Sequence, residues 1–495
     1  MKALFIIDTA AGSGKGHLIR TLEIVKQFKK NGWQTVIIIE RCILGKFASE
    51  LMDLADTLDF LESNSNISIN YVIEKASGLN CDKIIIDSYK IDYKNISKVN
   101  STNLDVYRII DAPTNKVEGV QDIKLGIRFN LQATNEGLKV IYPIRQLPVK
   151  KYISGEITRI LFYFGSEPSN QQIKLADKIA KYLNPSIISY FYISNEDNID
   201  STNMSFVTDI DKILSDVSLI ICSASTIIYE AAFMAIPCIT ISTNKSQENR
   251  DVELELLGHC INLQQEDLSQ HEKFKNLIEN AIINLKVLEV EVAKGKKNLF
   301  GSSDLYIYNC VTEKFIDSDI REQKEGHLLE SGTSFRPVTL ADVNTILSWR
   351  NSPEVRELMV NSAVIPKLSH YNWWFNNKRM SFIHEINTIP SAYLWHEQLN
   401  FDDLSLFIGG WIPLVENLPP LALFTIIDWQ MQLTKSINSH AKWLAVINKK
   451  NVFTQFTNVK LGFKEIKSNH PLYRAATKVF KVDEKLFSFY QYEFN

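Results

Sequence analysis

Asp8-Thr9-Ala10-Ala11-Gly12-Ser13-Gly14-Lys15-Gly16-His17-Leu18-Ile19-Arg20 is the stretch whose reading decides the fold. The apolar run Ala3-Leu4-Phe5-Ile6-Ile7 precedes it, and Leu22, Ile24, Val25 and Phe28 follow at helical spacing. The pattern predicts strand, Gly-rich loop, helix. Glycines allow a tight turn and close approach of a ligand to the backbone. The helix start turns free N–H groups and a positive dipole end toward the loop. His17 stands at that junction, where an imidazole can exchange a proton near neutral pH. A tight turn with no ligand fits the same residues. The loop lacks the Gly-Lys-Ser/Thr ending of a Walker A motif and the third glycine of a dinucleotide fingerprint.

A chain of 495 residues favours two or three domains. A hydrophobic content of 45% suffices for ordinary cores, and a net charge of -3 implies no strong pull toward nucleic acid or anionic membrane. No apolar run reaches the length of a membrane span. Met1-Lys2 leads straight into a strand pattern, so no signal peptide is expected. Cys42, Cys81, Cys222, Cys238, Cys260 and Cys310 show no C-x-x-C spacing and read as thiols of a cytoplasmic protein.

Residues 1–150 alternate strands with helices. Thr35–Ile39, Ile84–Ile86 and Val106–Ile110 are continuous apolar runs suited to a parallel sheet buried on both faces. Two of these runs end in Asp87 and Asp111, at the carboxyl edge where open α/β sheets bind ligands. Capping of the next turn is the other role open to each. A second α/β unit, 151–315, has strands at Ile160–Phe164, Ile187–Ile193, Leu219–Ile221 and Ile239–Ser242. Two such halves imply a cleft between them. Ser225-Thr226 opens a helix there that can offer N–H groups to phosphate, with Glu230 placed to meet a ribose. As a pure cap, Ser225-Thr226 needs no ligand.

Gly14-x-Gly16-His17-x-x-Arg20, Ile86-Asp87-Ser88-Tyr89, Gly165 and Ser225-Thr226-x-x-x-Glu230 with Pro237 occur in one order. Together they resemble the UDP-sugar hydrolase of pseudaminic acid biosynthesis and its spore-coat polysaccharide relatives, within the two-domain glycosyltransferase-B group. The resemblance covers roughly residues 1–315. It implies a catalytic role for His17 and nucleotide binding by Ser225, Thr226 and Glu230. Ile6, Gly165-Ser166-Glu167-Pro168 and Asp111-Ala112 depart from the family pattern around the sugar pocket.

Residues 316–334 are polar and charged, ending in small residues, and read as a linker. Phe335–Asp342, Trp349-Arg350-Asn351 and Asn451…Leu461-Gly462-Phe463 then resemble GNAT acyltransferases, especially the N-acetyltransferase of the same pathway. Trp373-Trp374-Phe375 reads as core. The resemblance implies a glycine-rich pyrophosphate loop, but Val415-Glu416-Asn417-Leu418-Pro419-Pro420-Leu421 stands there. Its two prolines remove N–H donors. Asn458 falls where the family's acidic tyrosine is expected. Residues 335–495 therefore read as a GNAT-like domain without acetyl transfer, so no cofactor is expected and acetyl-CoA is disfavoured.

The fold expected is α/β: two Rossmann-like halves of glycosyltransferase-B type plus a C-terminal α+β GNAT-like domain. The function expected is chemistry on a nucleotide sugar in bacterial nonulosonate surface-glycan synthesis. UDP-sugar hydrolysis is the first reading, and transfer from a UDP or CMP donor to a glycan acceptor is the alternative. Candidate catalytic residues are His17, Asp8 and Asp87. Candidate nucleotide and phosphate contacts are Gly14, Gly16, Gly165, Ser166, Ser225, Thr226 and Glu230. Candidate sugar contacts are Arg20, Tyr89 and Asp111. No clustered His/Asp/Cys set suggests a metal.

Overall fold

A computed structural model describes residues 1–8, 16–40, 44–61, 67–93, 104–150, 159–165, 168–184, 186–193, 203–243, 247–248, 250–312, 332–401 and 404–494. The chain forms two compact units, Met1–Glu322 and Gln323–Asn495. Most of the 316–334 segment, together with Gly14, Ser166 and Cys42, lies outside the described residues. The other five cysteines are free thiols, four of them buried.

The first unit holds two parallel six-stranded sheets of identical strand order. One runs Thr57–Leu61, Gln34–Glu40, Lys2–Ile7, Lys83–Asp87, Asp105–Ile110, Val120–Lys124. The other runs Ser205–Val207, Ile188–Tyr192, Arg159–Tyr163, Leu219–Ser223, Cys238–Ser242, Ile261–Gln264. Within each sheet this is the doubly wound order 3-2-1-4-5-6. The first strand shows why an unbroken apolar run is needed. Phe5 and Ile7 enter one core while Leu4 and Ile6 enter another on the opposite face. A strand covered on both sides cannot alternate with polar residues. The core that takes Phe5 also contains Ile220, Ala231 and Leu254, so the two halves share it.

The chain crosses between the halves twice. Near Val140 it leaves the first sheet, and near Leu299 it returns. These two crossings pair, with Val140 N donating to Asn298 O (2.6 Å) and Phe300 N to Val140 O (3.1 Å). The helix Ser303–Val311 then packs on the helix Gly16–Lys30. Tyr308 meets Phe28 edge-on at 4.9 Å, and Gln27 Nε2 donates to Asp304 (2.5 Å).

The second unit is one seven-stranded sheet, antiparallel except for the pair Leu404–Pro413 and Lys442–Asn448. That pair is hydrogen-bonded only from Leu406–Ile408 to Lys442–Leu444 before the strands part. Gly409 and Gly410 sit just beyond. A Cβ on Gly409 would meet the Trp443 indole at 2.5 Å, and one on Gly410 the Trp395 indole at 3.1 Å. The helix Pro420–Ile437 starts with Pro419 at its N-cap and Pro420 in its first turn. Trp373, Trp374 and Phe375 are only half-buried, so they form the rim of a core and not its centre.

Two glycines weld the second half together. A Cβ on Gly295 would lie 2.0 Å from the Leu257 carbonyl carbon, and one on Gly258, at φ +78°, 2.5 Å from Val292 Cα. The Leu285–Lys296 helix thus crosses the 257–258 turn backbone to backbone. Alanine in a helix interior ordinarily gains about 1 kcal/mol over glycine. Here overlap with unyielding main chain outweighs that gain, so Gly295→Ala should destabilise by at least about 2 kcal/mol, read as a lower urea midpoint.

Candidate functional site

In each sheet the strand order reverses between the first and fourth strands of that sheet. At such switch points the carboxyl ends open a crevice. In the first sheet the crevice lies between Ile7-Asp8 and Asp87, and His17 enters it from the start of the Gly16–Lys30 helix. In the second it lies between Tyr163-Phe164-Gly165 and Ser223-Ala224-Ser225-Thr226. The two switch points meet. A Cβ on Gly16 would stand 2.7 Å from Thr226 Cγ2, so only glycine allows the helix start to approach the other half so closely.

Asp87 organises the first half of the site. It is fully buried and accepts from four groups. These are His17 Nδ1 (2.6 Å), Arg20 Nε (2.8 Å), Arg20 Nη2 (2.6 Å) and Thr21 Oγ1 (2.7 Å). Burial works against its charge, yet Arg20 and then His17 hold the carboxyl well below the usual carboxylate range. It is therefore no turn cap.

Arg20 Nη2 also lies 2.9 Å from His17 Nδ1. Two N–H donors cannot bond each other, so both address the same carboxylate. Nδ1 is then the ring nitrogen that donates to Asp87. No partner of Nε2 is seen among the described residues. Arg20 Nη1 continues to Asp111 (2.8 Å), whose other oxygen accepts from the Tyr89 hydroxyl. Burial opposes the Asp111 charge, but Arg20 and Tyr89 keep it below its ordinary value. Tyr89 also sets its ring edge-on to His17 at 4.8 Å. Its backbone N–H donates to Asp8 (3.3 Å), which is buried at the end of the first strand. The predicted residues His17, Arg20, Asp8, Asp87, Tyr89 and Asp111 thus form one cluster. Arg20 has Nε, Nη1 and Nη2 all engaged by carboxylates, so here it orients the cluster.

The second half brings Ser225, Thr226 and Glu230 to the other wall. Thr226 makes no side-chain cap bond, and Ser225 Oγ is buried without a partner among the described residues. Neither hydroxyl serves as the helix cap. Arg250 donates to the Ala224 carbonyl beside them (3.3 Å). Gly165 adopts φ +99°, open only to glycine without strain, and a Cβ there would meet nothing within 4 Å.

Glu230 is held by a residue that sequence reading missed. Arg145 Nε and Nη2 bind its two oxygens at 2.8 and 3.0 Å, and Nη1 reaches Asp211. Arg145 lies in a coil between the two sheets with no periodic pattern to mark it. Tyr142, three residues earlier, stacks on Tyr229 with centroids 3.9 Å apart and planes 7° from parallel. Its hydroxyl is buried without a partner and lies in the field of Arg20, Asp111 and Asp87. Tyr229 accepts the Ile127 N–H (3.2 Å) and presses on Gly126. Among the described residues no His/Cys/Asp/Glu group could hold a metal ion.

No protein-family model matches the chain. An uncharacterized protein of Methanocaldococcus jannaschii is 21% identical, over 94% of this chain and 97% of its own. Among solved structures, MurG of Acinetobacter baumannii is similar over 63% of this chain and 99% of its own, at 14% identity and a TM-score of 0.46. An N-acetyltransferase from Staphylococcus aureus Mu50 is similar over 33% of this chain and 99% of its own, at 12% identity and a TM-score of 0.25. By the strand orders above, the fold is two doubly wound α/β halves followed by an α+β domain built on one seven-stranded sheet.

The Arg145–Glu230 pair carries a pH signature. Burial, only partly offset by Arg145, already pushes the Glu230 carboxyl up. Arg145→Met leaves that carboxyl uncompensated and should cost about 3 kcal/mol at pH 7.5. A folded-state pKa raised further above the unfolded value makes the folded state bind the extra proton, so stability falls as pH rises through that window. The deficit of the variant, read by denaturant unfolding, should therefore shrink between pH 7.5 and pH 5.

Proposed function

We propose that the His17 site processes a nucleotide-activated sugar, with hydrolysis that releases UDP as the first reading. The observation that carries it is the 2.6 Å contact between His17 Nδ1 and the buried Asp87 carboxylate. With Nδ1–H donating to Asp87, Nε2 is the ring nitrogen left to meet a substrate. That arrangement suits a group that takes a proton from water as it attacks, or that positions the water. The Asp87 carboxylate behind His17 would stabilise the protonated imidazole, and Nε2–H would then give that proton to the departing sugar or phosphate oxygen.

The nucleotide in this reading lies on the second half. The start of the Gly16–Lys30 helix and the unspent Ser225 hydroxyl are free to meet the diphosphate. Glu230, held by Arg145, meets the ribose. A compound of the nonulosonate pathway is the sugar implied by the motif resemblance. The departures at Ile6, Gly165-Ser166-Glu167-Pro168 and Ala112 are what keep an acceptor hydroxyl in play as the nucleophile in place of water.

His17→Ala should lower the turnover of a UDP-amino sugar by about 100-fold or more while leaving UDP affinity nearly unchanged. Near wild-type turnover would make the histidine structural. Release of UDP only when an acceptor glycan is added would transfer the assignment to a glycosyltransferase. Ser225→Ala gives an independent check. Its hydroxyl has no intramolecular partner, so stability should hold while calorimetric UDP affinity drops about fivefold, the scale of one lost hydrogen bond.

A further inference from the structure

The helix Val452–Lys460 in the second unit is built inside out. Its inward face is polar: Thr454, Thr457 and Asn458 are buried. Its outward face is apolar: Val452, Phe453, Phe456 and Val459 are 69%, 45%, 52% and 54% exposed. At 100° per residue these four fall within one arc of about 120°. A surface helix ordinarily shows the reverse. Isolated exposed apolar residues need no explanation, but a contiguous stripe on one helix marks an interaction face.

Charge says what the stripe meets. Lys449 and Lys450 precede the helix, Lys460 ends it, and Lys464 follows, with no acidic residue from Lys449 to Lys464. All four lysines are exposed, and no carboxylate forms an ion pair with Lys449, Lys450 or Lys460 among the described residues. Lys460 leans over the Phe456 ring at 5.5 Å, with its stem on the apolar face and its charge at the margin. The whole-chain charge of -3 hides this local run. A second copy is a poor occupant. Two such helices laid antiparallel would set Lys449 and Lys450 against Lys460 and Lys464 of the other copy. No helix among the described residues is long and apolar enough to cross a membrane, so the element would lie on a surface and not span it.

We infer that the Val452–Lys460 helix docks the chain on an anionic lipid surface. Val452, Phe453, Phe456 and Val459 enter the headgroup boundary, and the flanking lysines pair with lipid phosphates. The inference rests on this helix alone and is independent of the His17 reading. At about 13 Å the helix is short, so binding should be reversible and salt-sensitive.

The test is flotation of the full chain with vesicles of phosphatidylcholine, with and without phosphatidylglycerol. The chain should float with the anionic vesicles at low salt, stay behind with neutral ones, and be released near 0.5 M salt. Phe453→Ser with Phe456→Ser should lower partitioning by at least about tenfold with unchanged melting, since both rings are exposed. Lys449→Gln and Lys450→Gln should each lower it about fivefold. No binding to anionic vesicles, or binding indifferent to these substitutions, overturns the inference. Self-association in sedimentation equilibrium that the two serines abolish, without vesicle binding, assigns the face to a second copy and overturns it as well.

Discussion

A buried carboxylate is tolerable only when its charge is answered, and Asp87 is answered by four donors at once. Arg20 contributes two of them; burial works against its own charge, and Asp87 together with Asp111 outweighs that cost. The network closes on itself: Asp87 fixes His17 and Arg20, Arg20 fixes Asp111, Asp111 fixes Tyr89, and Tyr89 returns to the His17 ring and to Asp8. Moving Asp87 or Arg20 would leave a buried charge unanswered, so these two hold the cluster together, with the exposed Tyr89 at its margin. The first half of the site is therefore preorganised.

The first half of the site was readable in the sequence because its members sit at fixed offsets from strong elements. Asp8 and Asp87 end apolar runs, and His17 and Arg20 lie one turn apart on a helix whose start the glycines mark. The four central strands of each sheet were legible for the same reason, since doubly covered strands need unbroken apolar runs; the edge strands Thr57–Leu61, Val120–Lys124, Ser205–Val207 and Ile261–Gln264, short or broken by polar residues, were not. Arg145 and Tyr142 were not legible. They occupy coil, and their roles arise only when the second half's helix is brought against them. Charge pairs formed across more than sixty residues leave no periodic trace. The caps were misleading in the opposite direction: Ser225-Thr226 has the composition of an N-cap, yet neither hydroxyl caps the helix.

The second unit shows the same limit. The prolines that remove N–H donors from the Val415–Leu421 stretch are visible in the sequence, whereas the inward position of Asn458 is not. Neither is the filling of the strand divergence. Gly409 and Gly410 each make room for an indole, from the two strands that flank theirs, Trp443 on one side and Trp395 on the other. Bulk delivered from distant residues replaced the space that sequence alone would have left open.

The paired crossings near Val140 and Leu299 have a mechanical meaning. A single connecting segment would join the two halves at one point. Two segments hydrogen-bonded to each other join them along a line, the Ser303–Val311 helix is clamped to the first helix, and the halves share one core. The missing side chain at Gly16 then sets how near the two walls of the cleft stand.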